Sequence, residues 1–248
     1  MTLFWIVLFS LLGSVGAMLG GAVLLAFPAA VRTRLLPCLL SYATGTLLAA
    51  AWLGMLPQAL QQLAPLPVTS TVLAAMVAFF ILEKLLLWRH CHDGTCAAQG
   101  SHSGGMLILV GDAFHNFVDG VVIAAAFLVS VPFGIAATLA VIAHEIPQEL
   151  GDFAILLDSG FSKARAFAYN LISSLATLPG AVLGYFFLDA ARQAIPYVLA
   201  MSAASFIYIA VADLVPGLHR ETGLKATARQ GILLLAGIAT IALFRLGH

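Results

Sequence analysis

Between Val141 and Phe153 the chain reads VIAHEIPQELGDF, and His144, Glu145, Glu149 and Asp152 crowd into that short stretch. A second polar run, GDAFHNFVDG over residues 111–120, carries Asp112, His115, Asn116 and Asp119. Imidazole with carboxylate and amide oxygen, free of thiolate or thioether, is a donor set for Zn²⁺, Fe²⁺ or Mn²⁺ rather than Cu(I). An excess of oxygen donors keeps affinity moderate, as a site that must release its ion requires. Both runs sit in a chain that is 62% hydrophobic and only 9% charged. Ionisable groups in such surroundings cost about 2.5–3.5 kcal/mol each on insertion scales, which makes them functional candidates by default.

The spacing places these groups on helix faces. Asp112, His115 and Asp119 stand at i, i+3 and i+7 and share one face; Asn116 is one residue off that line. His144 and Gln148 stand at i and i+4, with Glu145, Glu149 and Asp152 on the neighbouring stripe. Pro147 has no N–H, so the Ala143 carbonyl loses its helical partner and a kink is expected beside the ligands. In a membrane that carbonyl needs a neighbour, a water or an ion.

Two helices that carry such faces must be held side by side. A very short turn near residue 131 joins them, so they are antiparallel neighbours. His115 lies about 16 residues before that turn and His144 about 13 after it, which sets both imidazoles at similar depth.

The whole chain supplies the frame. With 248 residues and a mean hydropathy of +1.04 it lacks the charge of a soluble domain's surface. Eight apolar runs, 3–27, 35–60, 68–88, 105–130, 132–157, 165–188, 194–216 and 229–246, approach the ~20 residues that span a bilayer. The expected fold is all-α: one polytopic membrane domain over 1–248 with eight transmembrane helices, membrane lipid around it and the metal site between spans four and five. The first run has no basic segment before it and continues past any cleavage site, so it is read as a span rather than a signal peptide. A net charge of zero gives no footing for nucleic acid.

Eight spans put both termini on one side. With that side outside, Arg32, Arg34, Arg89, Lys163, Arg165, Arg220, Lys225 and Arg229 fall in inner loops. Only Arg192 and Arg245 fall outside, and Lys84 lies near the inner end of the third span. This follows the positive-inside rule. Small residues, Gly13, Gly16, Gly20 and Gly21 in the first span and Gly180 and Gly184 in the sixth, allow close helix packing within one chain or across a homodimer. Pro179 is expected to interrupt the sixth span. Compactness and minimal loops suit a bacterial inner-membrane protein with periplasmic termini.

Residues 89–104 form the one long polar loop, read as a mobile cytoplasmic segment. It offers His90, Cys91, His92, Cys96 and His102 as weaker metal ligands. Three cysteines make no disulfide framework, and cytoplasmic thiols stay reduced.

Other readings compete. The polar groups of spans four and five are packing hydrogen bonds if they serve structure alone. HEIPQ superficially follows the HExxH pattern of metalloproteases, with Glu145 as general base. Against that enzyme reading, Gln148 replaces the second histidine and Pro147 falls where a regular helix is needed. A metal-binding sensor would bind without transporting.

At these residues the chain resembles the ZIP family of divalent-metal transporters. HNFVDG (His115 to Gly120) matches the family's HNxxDG in span four, and HEIPQELGD (His144 to Asp152) follows the HExPHExGD of one large subfamily. FFILEKLLLWRHCH, residues 79–92, is similar to that subfamily's third span and the start of its histidine-rich loop. The resemblance implies eight helices, outer termini and an inverted 3+2+3 repeat centred on spans four and five. It implies a primary metal site of His115, Asp119, His144 and Gln148, with Asn116 and Glu145 toward a second site in two-metal members.

Several positions depart from the pattern. Gln148 stands where the subfamily has His and other members a bridging Glu; Glu149 is the substitute donor. Thr177 stands where two-metal members have Glu. The second-span motif reads MLPQ, with Gly54 where a His often lies, and the seventh reads LVPG. Asp213 remains on the inner half of span seven, and with Asp112 and Asp152 it is a candidate for the ion's pathway.

The implied activity is uptake of a divalent transition metal, Zn²⁺ first and Fe²⁺, Mn²⁺ or Cd²⁺ as alternatives, by alternating access. The metal is the transported substrate, no organic cofactor is implied, and the protein is not an enzyme. Histidine must be neutral to ligate, so low pH competes with binding.

Overall fold

A computed structural model describes residues 1–91 and 102–246. Every regular element among the described residues is helical. Eight long segments follow one another: α1 (Thr2–Ala26), α2 (Ala29–Leu60), α3 (Pro65–Cys91), α4 (His102–Val129), α5 (Val131–Asp158), α6 (Lys163–Ala190), α7 (Arg192–Leu218) and α8 (Leu224–Leu246). They coincide with the eight apolar runs. Seven are long and apolar enough to cross a membrane; α5, the remaining one, is 28 residues long and carries the acidic run. The chain is an integral membrane protein.

Helix claims both edges of the stretch read as an irregular loop, because α3 continues to Cys91 and α4 begins at His102. The side chains of His90, Cys91 and His102, and the whole of His92 and Cys96, lie outside the described residues.

A single residue, Ser130, separates α4 from α5. Its hydroxyl accepts from the Phe133 N–H at 3.3 Å, and Pro132 sits in the first turn, where no N–H is required. Gly134 lets the returning helix close up: a Cβ there would stand 2.3 Å from the Phe127 ring. The α4–α5 turn therefore lies at one end of the molecule, with both termini and the α2–α3 and α6–α7 connections. The basic connections, the end of α3 and the start of α4 belong to the opposite end, called here the loop end.

Proline shapes four helices in three ways. α5 runs through Pro147 as one helix. α6 breaks at Leu175–Ala176, one turn before Pro179, because the missing N–H and the ring act on the turn that precedes a proline. In α2 and α7 the turns before Pro57 and Pro216 widen into π-helix, Ala50–Met55 and Ile209–Leu214.

The helices pack as two groups. α1, α4, α5 and α6 contact one another through α4–α6, α1–α5, α4–α5 and α1–α6; α2, α3, α7 and α8 do so through α2–α8, α3–α7 and α2–α7; and the groups join along α2–α5, with smaller α5–α8 and α4–α7 contacts. Glycines set the closest crossings. A Cβ on Gly120 would meet the Thr177 carbonyl oxygen at 2.0 Å, and one on Gly180 would meet that of Phe117 at 2.0 Å, so α4 and α6 touch backbone to backbone. Gly45 and Gly237 do the same for α2 and α8, at 2.1 Å and 2.3 Å. The glycines of the first and sixth spans that meet a neighbour, such as Gly20 against Ile146 and Gly184 against Val121, use it within this chain.

Gly120→Leu or Gly180→Leu should cost about 3 kcal/mol or more by forcing the helices apart. A lower thermal midpoint, or loss of the monodisperse peak in detergent, would register this. Gly16→Ala, whose Cβ would meet nothing within 4 Å, should leave the midpoint unchanged.

Candidate metal centre

The α4–α5 turn brings the two polar runs to one depth. His115 and Asp119 of α4 and His144 and Glu145 of α5 each offer one ligand atom, and the four atoms lie within 4.8 Å of one another. His115 Nε2 is 3.2 Å from His144 Nε2, 3.4 Å from Glu145 Oε1 and 3.7 Å from Asp119 Oδ2. His144 Nε2 is 3.2 Å from Asp119 Oδ2 and 3.4 Å from Glu145 Oε1. An ion with tetrahedral bonds of ~2.0–2.2 Å separates its ligand atoms by about 3.3–3.6 Å. Five of the six edges, at 3.2–3.7 Å, bracket that value, and the set as a whole lies within 4.8 Å, close to the size of a four-coordinate zinc shell.

The chain also fixes which atom His144 presents. Its Nδ1–H donates to the Ala140 carbonyl, one turn back, at 3.0 Å. A carbonyl can only accept, so in the neutral ring the Nε2 lone pair points into the quartet. Neither carboxylate oxygen of Asp119 or of Glu145 has a hydrogen-bond donor. Two carboxylates and a lone-pair nitrogen that face one another in an apolar interior are stabilised by a cation at their centre.

Burial gives the site a direction. Asp119, His144 and Glu145 are at most 1% exposed, while the His115 side chain is 20% exposed. His115 opens onto a cavity of about 420 Å³ between α3, α4 and α7, which extends from the site toward the loop end past Phe114, Tyr208 and Asp213. On the turn side buried apolar residues pack together: Val122 to Phe127 of α4, Phe133, Ala137, Ala140 and Val141 of α5, Leu47, Ala51 and Met55 of α2 and Leu199, Ala203 and Phe206 of α7. The Phe206 ring lies edge-on to His144 at 5.9 Å between centroids.

The remaining sequence candidates fall elsewhere. Gln148 is turned away from the quartet: its Nε2 donates to Asp112 Oδ1 at 3.2 Å. Glu145, one residue past His144, takes the fourth corner instead. Asn116 donates to Asp112 Oδ1 at 3.1 Å, and its own oxygen accepts from the Thr177 hydroxyl at 3.0 Å. Thr177 thus closes a hydrogen-bonded amide cage where a second site would need a carboxylate. Glu149 is buried on the α1 and α6 side, near Met18, Gly21 and Asn170. Asp152 is half-buried toward the loop end, and Asp213 lines the cavity. Sequence spacing missed Phe206 and the Ala140 carbonyl. The i−4 position of Ala140 was the available signal for the second.

The family model described as ZIP Zinc transporter matches residues 89–245. Zinc transporter ZIP13 of Pongo abelii is 35% identical over 96% of this chain and 78% of its own length. The chain belongs to the ZIP family. Human zinc transporter ZIP13 is 32% identical, with 96% of this chain and 80% of that protein covered. Zinc transporter ZIP10 of Mus musculus is 34% identical over 63% of this chain but only 20% of its own length, so this chain corresponds to a small part of that longer ZIP protein. These relatives come from animals and lend no support to a bacterial inner membrane, an expectation that compactness alone carried.

The quartet geometry predicts that Glu145→Ala lowers the affinity of the purified protein for Zn²⁺ by about 100-fold. Gln148→Ala should leave it near the wild-type value. Equilibrium dialysis with Zn²⁺ separates this ligand set from the one in which Gln148 is a ligand.

Proposed function

We propose that this chain carries a divalent transition metal, Zn²⁺ before Fe²⁺, Mn²⁺ or Cd²⁺, through the membrane into the cytoplasm. The observation that carries this reading is a four-donor site with zinc-sized edges, midway along two helices of a chain of the ZIP family. The relatives named above are zinc transporters by name.

The ion sheds its water onto His115, Asp119, His144 and Glu145. Exchange of ligands for hydration is favourable only if the site is neither too tight nor too open. A closed turn side and a cavity on the loop side correspond to the state that releases the ion. Movement of the α1–α4–α5–α6 group against the other four helices would close the cavity and open the turn side, which is alternating access around one fixed site.

Internal symmetry supports that motion. Exchanging helices 1–3 with 6–8, and 4 with 5, turns the α1–α5 contact into α6–α4 and the α2–α8 contact into α7–α3, and all four are present. The widened turns before Pro57 and Pro216 also correspond. An inverted 3+2+3 repeat accounts for both. The basic residues of the loop end, eight of the eleven in the chain, orient it toward the cytoplasm and the termini outward. The 89–104 segment then receives the ion at the inner mouth through its histidines and cysteines. Outward apolar side chains such as Phe186 and Phe187 meet lipid.

The metalloprotease-like reading loses support, because the Gln148 side chain is bonded to Asp112 rather than placed with His144 and Glu145. Zn²⁺ flux into proteoliposomes with an entrapped indicator tests the proposal. Wild type should show saturable flux, and His144→Ala or Asp119→Ala should abolish it. Zinc binding without flux in the wild type would instead indicate a sensor.

A further inference from the structure

Below the quartet, toward the loop end, the α4–α5 seam holds two more carboxylates. Asp112 precedes His115 by one turn, roughly 4.5 Å along the helix axis, and Asp152 follows Glu145 by two turns, roughly 10 Å. Asp112 is 5% exposed. Its Oδ1 receives two amide donors, Asn116 Nδ2 at 3.1 Å and Gln148 Nε2 at 3.2 Å. Its Oδ2 is buried with no hydrogen-bond partner. The Ser173 hydroxyl comes within reach of this carboxylate, but its proton goes to the Leu109 carbonyl at 3.0 Å.

The next acid along that seam is Asp152, which stands i+4 from Gln148 and so shares its face of α5, one turn nearer the loop end than the amide that touches Asp112. Two amide donors on one oxygen hold Asp112 in the acceptor role. Two carboxylates brought together in this way need a cation or a proton between them. Asp152 is also less buried than Asp112. Oxygen donors therefore step from the quartet, through a buried acid, to a half-buried acid nearer the loop end. The large cavity beside His115 is walled mostly by apolar side chains and offers an ion few ligands over the same distance.

We infer that Asp112 and Asp152 form a second cation station, which takes the divalent metal from the quartet along the α4–α5 seam and delivers it to the loop end. The Gln148 amide, held on Asp112, is the group the arriving ion displaces. This rests on the transport reading above and adds a release step to it.

Zn²⁺ flux in proteoliposomes and Zn²⁺ binding to the purified full chain, measured on the same variants, test the inference. Asp152→Asn and Asp112→Asn should each lower maximal flux by about 10-fold or more while the tight Zn²⁺ affinity stays near wild type. Asp152→Glu should restore most of the flux. Full flux in Asp112→Asn, whose carboxamide mimics a protonated acid, would mean that the pair holds only a proton and would overturn the inference. Joint loss of tight binding and flux in Asp152→Asn would also overturn it, because the acid would then be holding the fold. Wild-type flux in His144→Ala would defeat the transport reading itself, whatever Asp152 does.

Discussion

Two imidazole nitrogens and two carboxylate oxygens meet within 4.8 Å inside an apolar bundle, and most of the fold can be understood as what it takes to hold them there. Left alone, two buried carboxylates repel and each is costly to desolvate. A divalent cation at the centre turns the same contacts into attraction. In the proposed site, binding would cancel a strain that the fold imposes, and the hydrogen bond from His144 Nδ1 to the Ala140 carbonyl holds the ring aimed at the quartet.

Holding four donors in place requires rigid neighbours. All four ligands belong to two helices that a single capped residue joins, so their relative depth cannot drift. The α4–α6 backbone contact at Gly120 and Gly180 braces the pair from one side, and Gly20 and Gly21 of α1 brace it from another. The other helix group presents mainly apolar surface to the site, with Phe206 against His144. A site carried wholly by one group, with both ligand helices braced inside it, is the arrangement that lets a site stay intact while access to it changes sides.

Much of this was legible in the sequence. Apolar run length gave eight helices because a bilayer fixes the length a span must have, and the i, i+3, i+7 spacing gave the shared face of Asp112, His115 and Asp119. Register around the short turn gave the common depth of His115 and His144. The choice of fourth donor between Gln148 and Glu145 was not legible. Periodicity places Gln148 on the same stripe as His144, and only the packed structure reveals that Asp112 captures its amide and leaves the corner to Glu145. The two amide hydrogen bonds to Asp112 and the plug around Phe206 depend on contacts between segments far apart in the chain. The break in α6 fell one turn before Pro179 for a local reason: a proline disturbs the turn behind it.

X-ray absorption at the zinc edge of the Zn²⁺-loaded protein tests the quartet most directly. The account predicts about four nitrogen or oxygen neighbours at ~2.0–2.2 Å, with outer-shell scattering from two imidazoles, and loss of one imidazole contribution in His144→Ala. A sulfur shell near ~2.3 Å would instead place the tight site among the cysteines of the 89–104 segment and would contradict it.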